Sequence, residues 1–168
     1  MIFNKNIFLL LCVSVLIFNC GIYSFSGSSI PKDAQSVYIF EIQNNAPLSS
    51  PELSSLITEN LNNYILSETN LKLSKNNPDL SFSGKISKYN INPISINSQE
   101  SASQNRLSIE VDIEYINSLD TLNSFSKKFS NYVDFSSSEN FVDIESDLND
   151  ELIKKLIEDI FNASFSNW

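Results

Sequence analysis

Hydrophobic and polar positions alternate with a period of two between Leu71 and Phe135, and with a period of three to four in the segments on either side. The clearest run is 107–115, where Leu107, Ile109, Val111, Ile113 and Tyr115 alternate with Ser108, Glu110, Asp112 and Glu114. Such a strand has one buried and one wet face. Leu80, Phe82, Gly84 and Ile86 alternate with serines and Lys85. Tyr89 and Ile91 then carry the apolar phase on odd numbers, and a bulge over 87–89 is the simplest cause of that slip. Pro93 predicts an edge or a strand end, and 95–105 reads as a polar loop. After a turn over 117–123, Phe125, Phe129, Val133 and Phe135 continue on another strand. If these two strands pair antiparallel, the acids of the first become cross-strand neighbours of Lys128.

Two helices flank this region. Ser49, Ser50, Pro51 and Glu52 form a helix start: a serine at the N-cap, proline where its missing N–H costs nothing, and an acid facing the dipole. Leu53, Leu56, Ile57, Leu61, Tyr64 and Ile65 make one stripe, which should end over 67–70. A longer helix is predicted over 142–165, with Leu148, Leu152, Ile153, Leu156, Ile157, Ile160 and Phe161 as its stripe. Before the first helix, 37–42 is a strand by its β-branched and aromatic density, and Leu71 and Leu73 begin a short one before the turn at 76–79. The expected fold is α+β, in the order β-α-β-β-β-α. Two helices would pack on one face of a four-stranded, mostly antiparallel sheet.

The first residues follow neither pattern. Asn4, Lys5 and Asn6 make a polar start, and 7–18 is apolar except at Ser14. Twelve helical residues span about 18 Å, against about 30 Å of hydrocarbon, which favours a secretory signal over a permanent span. The expected division is a lipoprotein signal over 1–19, a tether over 20–34 and one domain over 35–168. Cleavage before Cys20 removes Cys12 and leaves one mature cysteine, so no internal disulfide can form. Signal, cysteine and small residue are the arrangement of bacterial lipoproteins, in which the thiol carries diacylglycerol. Asn19 stands where a small residue is usual, so an uncleaved or differently cleaved signal is the alternative.

The 168 residues carry a formal charge of −9. The leader holds one base, Lys5, and no acid, so the mature chain stands at −10. That balance disfavours nucleic acid as a partner. The chain has no histidine, which excludes imidazole ligation and Ser-His or Cys-His catalysis. Three glycines cannot build a phosphate loop. The pairs Asp112 with Glu114 and Asp143 with Glu145 read as solvated surface. Neither an enzyme, a cofactor nor a metal site is therefore expected.

The stretches CGIYSFSG (20–27), SIPKDAQSVYI (29–39), NNAPLSSPELSSLITENL (44–61), SASQNRLSIEVDIEY (101–115) and FSNYVDFSSSENF (129–141), with the acidic C-terminal helix closing at NW, carry a likeness. Together they resemble the lipopolysaccharide-assembly lipoprotein family, component E of the Lpt complex (LptE), particularly its forms in the Bacteroidetes. The resemblance implies a non-enzymatic lipoprotein of the outer membrane, facing the periplasm. Such a protein plugs and helps assemble the β-barrel partner LptD, and supports lipopolysaccharide transport to the cell surface. It also implies lipopolysaccharide contact through basic residues of the sheet, for which Arg106, Lys127 and Lys128 are the candidates. A second expectation is a stand-alone periplasmic lipoprotein that binds lipid or glycan, motivated by these bases with Tyr89, Tyr115 and Tyr132 nearby in sequence.

Overall fold

A computed structural model of the chain describes residues 30–94 and 103–165; Cys20 and the expected leader lie outside them. The elements are β1 (Ser36–Ile39), β2 (Gln43–Asn44), α1 (Leu53–Glu68), β3 (Lys72–Leu73), β4 (Leu80–Ile94), β5 (Gln104–Asn117), β6 (Phe125–Ser136) and α2 (Phe141–Phe165), with a 3-10 turn over Thr121–Asn123. No helix among the described residues is long and apolar enough to cross a membrane.

The sheet corrects the expected architecture. It has six strands in the order β3-β1-β4-β5-β6, with β2 also pairing β4, and it is mixed. The pairings of β1 with β3, β1 with β4 and β2 with β4 are parallel, while β4 with β5 and β5 with β6 are antiparallel. The physical cause is α1. A helix between β1 and the later strands returns the chain to the same end of the sheet, which is what parallel neighbours need.

The expected strand over 37–42 is two strands. β1 pairs Ile39 with Phe82, and β2 pairs Gln43 with Lys85, so the first strand spends one residue more than β4 over this stretch. Ile42 leaves the ladder and donates its N–H to Thr58 Oγ1 of α1 at 3.0 Å. The extra residue turns Phe40 and Glu41 outward while Val37, Ile39 and Ile42 stay buried. The bulge expected in β4 is present, because the register with β5 shifts between Ile86 and Lys88. β1 and β2 pair with β4 only as far as Ile86, so Pro93, one residue from the end of β4, faces no donor demand on its open side.

The helix α1 starts later than expected, at Leu53, and no side chain caps it. Ser50, the serine before Pro51, offers its carbonyl instead, accepting from the Leu53 N–H at 3.2 Å and from Asn44 Nδ2 at 2.9 Å. Pro51 and Glu52 form a turn that leads into the helix. β5 starts at Gln104, inside the expected loop, whose residues 95–102 lie outside those described.

Both helices cover one face of the sheet. Leu53, Ile57, Leu61 and Ile65 of α1, and Leu152, Leu156, Ile160 and Phe165 of α2, close a single core over Leu80, Phe82, Leu107, Ile109 and Tyr115. Phe82, Tyr115 and Phe165 meet with ring centroids 4.9 to 6.1 Å apart. Gly84 in β4 is required by close approach. A Cβ there would overlap the carbonyl oxygen of Asp112 on β5.

Candidate functional site

The face of the sheet away from the helices is uncovered among the described residues. Alternation along β5 points Arg106, Ser108, Glu110, Asp112, Glu114 and Ile116 outward, opposite the core series from Leu107 to Tyr115. Antiparallel pairing with β6 then fixes their partners: Arg106 lies opposite Asp134, and Asp112 opposite Lys128.

Arg106 donates two hydrogen bonds to the Asp134 carboxylate, Nε to Oδ1 at 2.7 Å and Nη2 to Oδ2 at 2.8 Å. This fork-to-carboxylate geometry holds the guanidinium in one plane. The same guanidinium lies 3.7 Å over the Tyr132 ring. Lys128 Nζ donates to Glu110 Oε1 at 2.6 Å and stands 3.8 Å from Asp112 Oδ1. Lys85 Nζ reaches Asp112 Oδ2 at 4.0 Å from the other side. The expected proximity of the β5 acids to Lys128 is thus present as a small charge network.

These pairings account for the electrostatics. The Lys128 hydrogen bond holds the Glu110 carboxyl below the usual carboxylate range, and the Arg106 fork does the same for Asp134. Both cations are correspondingly raised. Arg106 and Lys128 are therefore charge-compensated within the sheet.

The three basic residues singled out from the sequence are not gathered into one site. Arg106 and Lys128 share the open face but stand six positions apart along the paired strands, about 20 Å. Lys127 has the opposite parity and turns toward the helix side. Its Nζ lies 5.2 Å from the Phe129 ring, and it enters no ion pair among the described residues. The tyrosines divide similarly. Tyr132 is on the open face under Arg106, whereas Tyr89 and Tyr115 are buried beneath the helices.

Near Lys128 the open face holds a groove of about 920 Å³, lined by Phe40, Glu41, Ser83, Lys85, Asp112 and Lys128 among others. Its apolar wall is Phe40, which stacks edge-on against Tyr38 with centroids 4.9 Å apart. Sequence reasoning missed this wall because 37–42 reads as one continuous strand. Alternation from Val37 and Ile39 turns Phe40 outward, and the spacing of three between Ile39 and Ile42 turns Glu41 outward beside it. No three His, Cys, Asp or Glu residues among those described are grouped to hold a metal ion.

Under the sheet, burial raises the Tyr89 hydroxyl well above the usual phenol range. Its oxygen lies 3.1 Å from both Glu145 Oε1 and Asn149 Oδ1 of α2. One hydroxyl proton serves one acceptor, so with the Asn149 amide turned to present its NH₂ group all three side chains are satisfied. The network ties the strand beyond the bulge to the start of α2. It has no route to the open face.

Residues 34–164 match the model of the family described as LptE, lipopolysaccharide-assembly. No curated protein matches the chain. Among solved structures, the chain is similar to a minor lipoprotein from Acinetobacter baumannii, at 13% identity and a TM-score of 0.48, over 77% of this chain and 91% of that one. It is also similar to a lipoprotein from Neisseria meningitidis, at 10% identity and a TM-score of 0.44, over 76% of this chain and 99% of that one. A protein from Xanthomonas campestris gives 7% identity and a TM-score of 0.49, over 80% of this chain and 87% of that one.

Proposed function

The chain belongs to the LptE lipopolysaccharide-assembly family, and from that premise we propose that it is a non-enzymatic outer-membrane lipoprotein that seats in an LptD-type β-barrel. There it plugs the barrel, helps it assemble and supports delivery of lipopolysaccharide to the cell surface. The observation that carries the reading is the reach of the family match, 34–164, which spans all six strands and, to within one residue, both helices. The architecture suits a plug. One face is sealed by helices, and the other is an open sheet face whose Arg106 and Lys128 are already paired with acids, so a barrel wall can approach it without stranding either cation.

In this reading 1–19 is a signal removed on export, Cys20 carries the acyl chains, 20–34 tethers the domain, and 35–168 is the domain itself. Acyl chains contribute about 0.8 kcal/mol per buried CH₂, so two or three hold a protein on the inner leaflet of the outer membrane durably. Arg106, Lys127 and Lys128 remain the candidates for lipopolysaccharide contact. Phosphates would have to displace Asp134 from Arg106 and Glu110 from Lys128, whereas Lys127 requires no such exchange.

Affinity capture of the chain from detergent-solubilised outer membranes tests the proposal. It should bring down a large β-barrel protein in stoichiometric amount, and recovery of the lipoprotein free of any barrel overturns it. The groove at Phe40 and Lys85 is what favours the second reading, a stand-alone lipid- or glycan-binding lipoprotein. Titration with lipopolysaccharide separates the two. Tight binding by the isolated protein that Ala at positions 106, 127 and 128 abolishes supports the stand-alone reading.

A further inference from the structure

The end of the sheet where the chain enters carries apolar surface that the fold does not use. Ile30, Pro31 and Lys32 share a cavity of about 390 Å³ with Asp120, Asn123 and Ala163. β1 begins there, with Ser36 donating its N–H and hydroxyl to Asp79 Oδ2 at 2.9 and 2.7 Å. Leu80 pairs with Asn117 at the same end. The entry of the chain, the β5–β6 turn and the C-terminal end of α2 therefore lie together.

In that turn Asp120 is held by its own neighbours. Its Oδ1 accepts the Leu122 N–H at 3.2 Å and its Oδ2 accepts from Asn123 Nδ2 at 2.7 Å. The cap fixes a 3-10 turn that holds Leu122 outward, 93% exposed, behind Leu119 at 48% and Ile116 at 41%. Leu122 is the most exposed large hydrophobic among the described residues. An apolar side chain locked in that position by a hydrogen-bonded cap has a cost in water that the fold does not recover.

The charge distribution gives this end a direction. Between positions 141 and 153 the sequence has five acids and no base. This half of α2 begins at the opposite end of the sheet, where β6 finishes with Ser136 paired to Gln104. At the entry end Lys32, Lys72 and Lys75 balance the acids Asp33, Asp79 and Asp120 on the same segments, so this end carries no comparable excess of negative charge. An anionic lipid surface repels the far end and accepts the near one.

We propose that, in the lipoprotein before it joins a barrel, the tip formed by Leu119 and Leu122 inserts into the headgroup region of the membrane to which the chain is tethered. The molecule then stands on its entry end with the acidic half of α2 pointing away. This rests on the reading that the N-terminus is the membrane attachment. Ten residues separate Cys20 from Ile30 and extend at most about 35 Å. β4, at 15 residues, is about 50 Å long, so the attachment holds the entry end, and not the far one, within reach of lipid.

The single tryptophan, Trp168, makes the test direct. In the full chain, Trp168→Phe with Leu122→Trp places the only reporter on the tip, and Trp168→Phe with Val142→Trp places it at the far end, where Val142 is 75% exposed. Each is reconstituted through its own N-terminus into phosphatidylethanolamine and phosphatidylglycerol vesicles with brominated acyl chains. The proposal expects emission at position 122 to shift to the blue and be quenched several-fold, with position 142 unchanged. An unquenched position 122, equal quenching at both positions, or shielding of 122 that needs added outer-membrane barrel protein overturns it. So does failure of the chain to attach to vesicles. No barrel protein is in the basic assay, so failure of the barrel reading leaves this result untouched.

Discussion

At the scale of single residues, three positions show how narrowly the strands and helices fit. Gly84 sits against β5, and a methyl group there would overlap the Asp112 carbonyl. Gly84→Ala should lower unfolding free energy by about 1–3 kcal/mol, as overpacking does, measured by urea denaturation. Two buried tyrosines make a contrasting pair. Tyr89 holds Glu145 and Asn149, and Tyr89→Phe should cost about 1–2 kcal/mol because it leaves the buried Asn149 short of a partner. The Tyr115 hydroxyl is buried with no hydrogen-bond partner, and burial pushes its pKa up to about 12. Tyr115→Phe should therefore leave stability unchanged or raised. Equal losses for the two Phe variants would contradict this assignment. The alternation in β5 gives the face of Tyr115 in advance, since it falls in the apolar series. The partners of Tyr89 come from α2, which is 56 and 60 positions away and outside any local pattern.

Individual elements were legible to the extent that their patterns are local. The two amphipathic stripes, the β5 alternation and the β4 bulge all follow from spacing along one segment, and each is present. The division of the first strand was not legible, because it depends on Thr58. That residue accepts the Ile42 N–H at 3.0 Å and donates to Ser54 O at 2.7 Å, pinning the kinked strand to α1. Thr58→Val keeps the shape and removes both bonds. It should cost about 1–2 kcal/mol through the stranded Ile42 N–H, with amide exchange at Ile42 accelerated relative to Val37. Unchanged exchange would show that the kink stands without the threonine. Parallel pairing escaped for the same reason. Which strands become neighbours depends on where α1 delivers the chain, and no two-residue period records that. The basic residues were placed on the sheet from the sequence, but adjacent numbers separate Lys127 and Lys128 onto opposite faces, so the expected cluster divides.

At the scale of the whole molecule, the account joins a sealed helical layer, a charge-compensated open sheet and an apolar tip at the end where the chain enters. The first two suit insertion into a barrel, and the third suits a protein held at a membrane. Family membership supplies the role in lipopolysaccharide assembly, which the fold alone would not reveal. A role in lipopolysaccharide assembly is decided by depleting the chain from cells of its own source while quantifying surface-exposed lipopolysaccharide. Surface lipopolysaccharide should fall, accumulate on the periplasmic side and return when the intact chain is re-expressed. Undiminished lipopolysaccharide at the cell surface after full depletion would contradict the account.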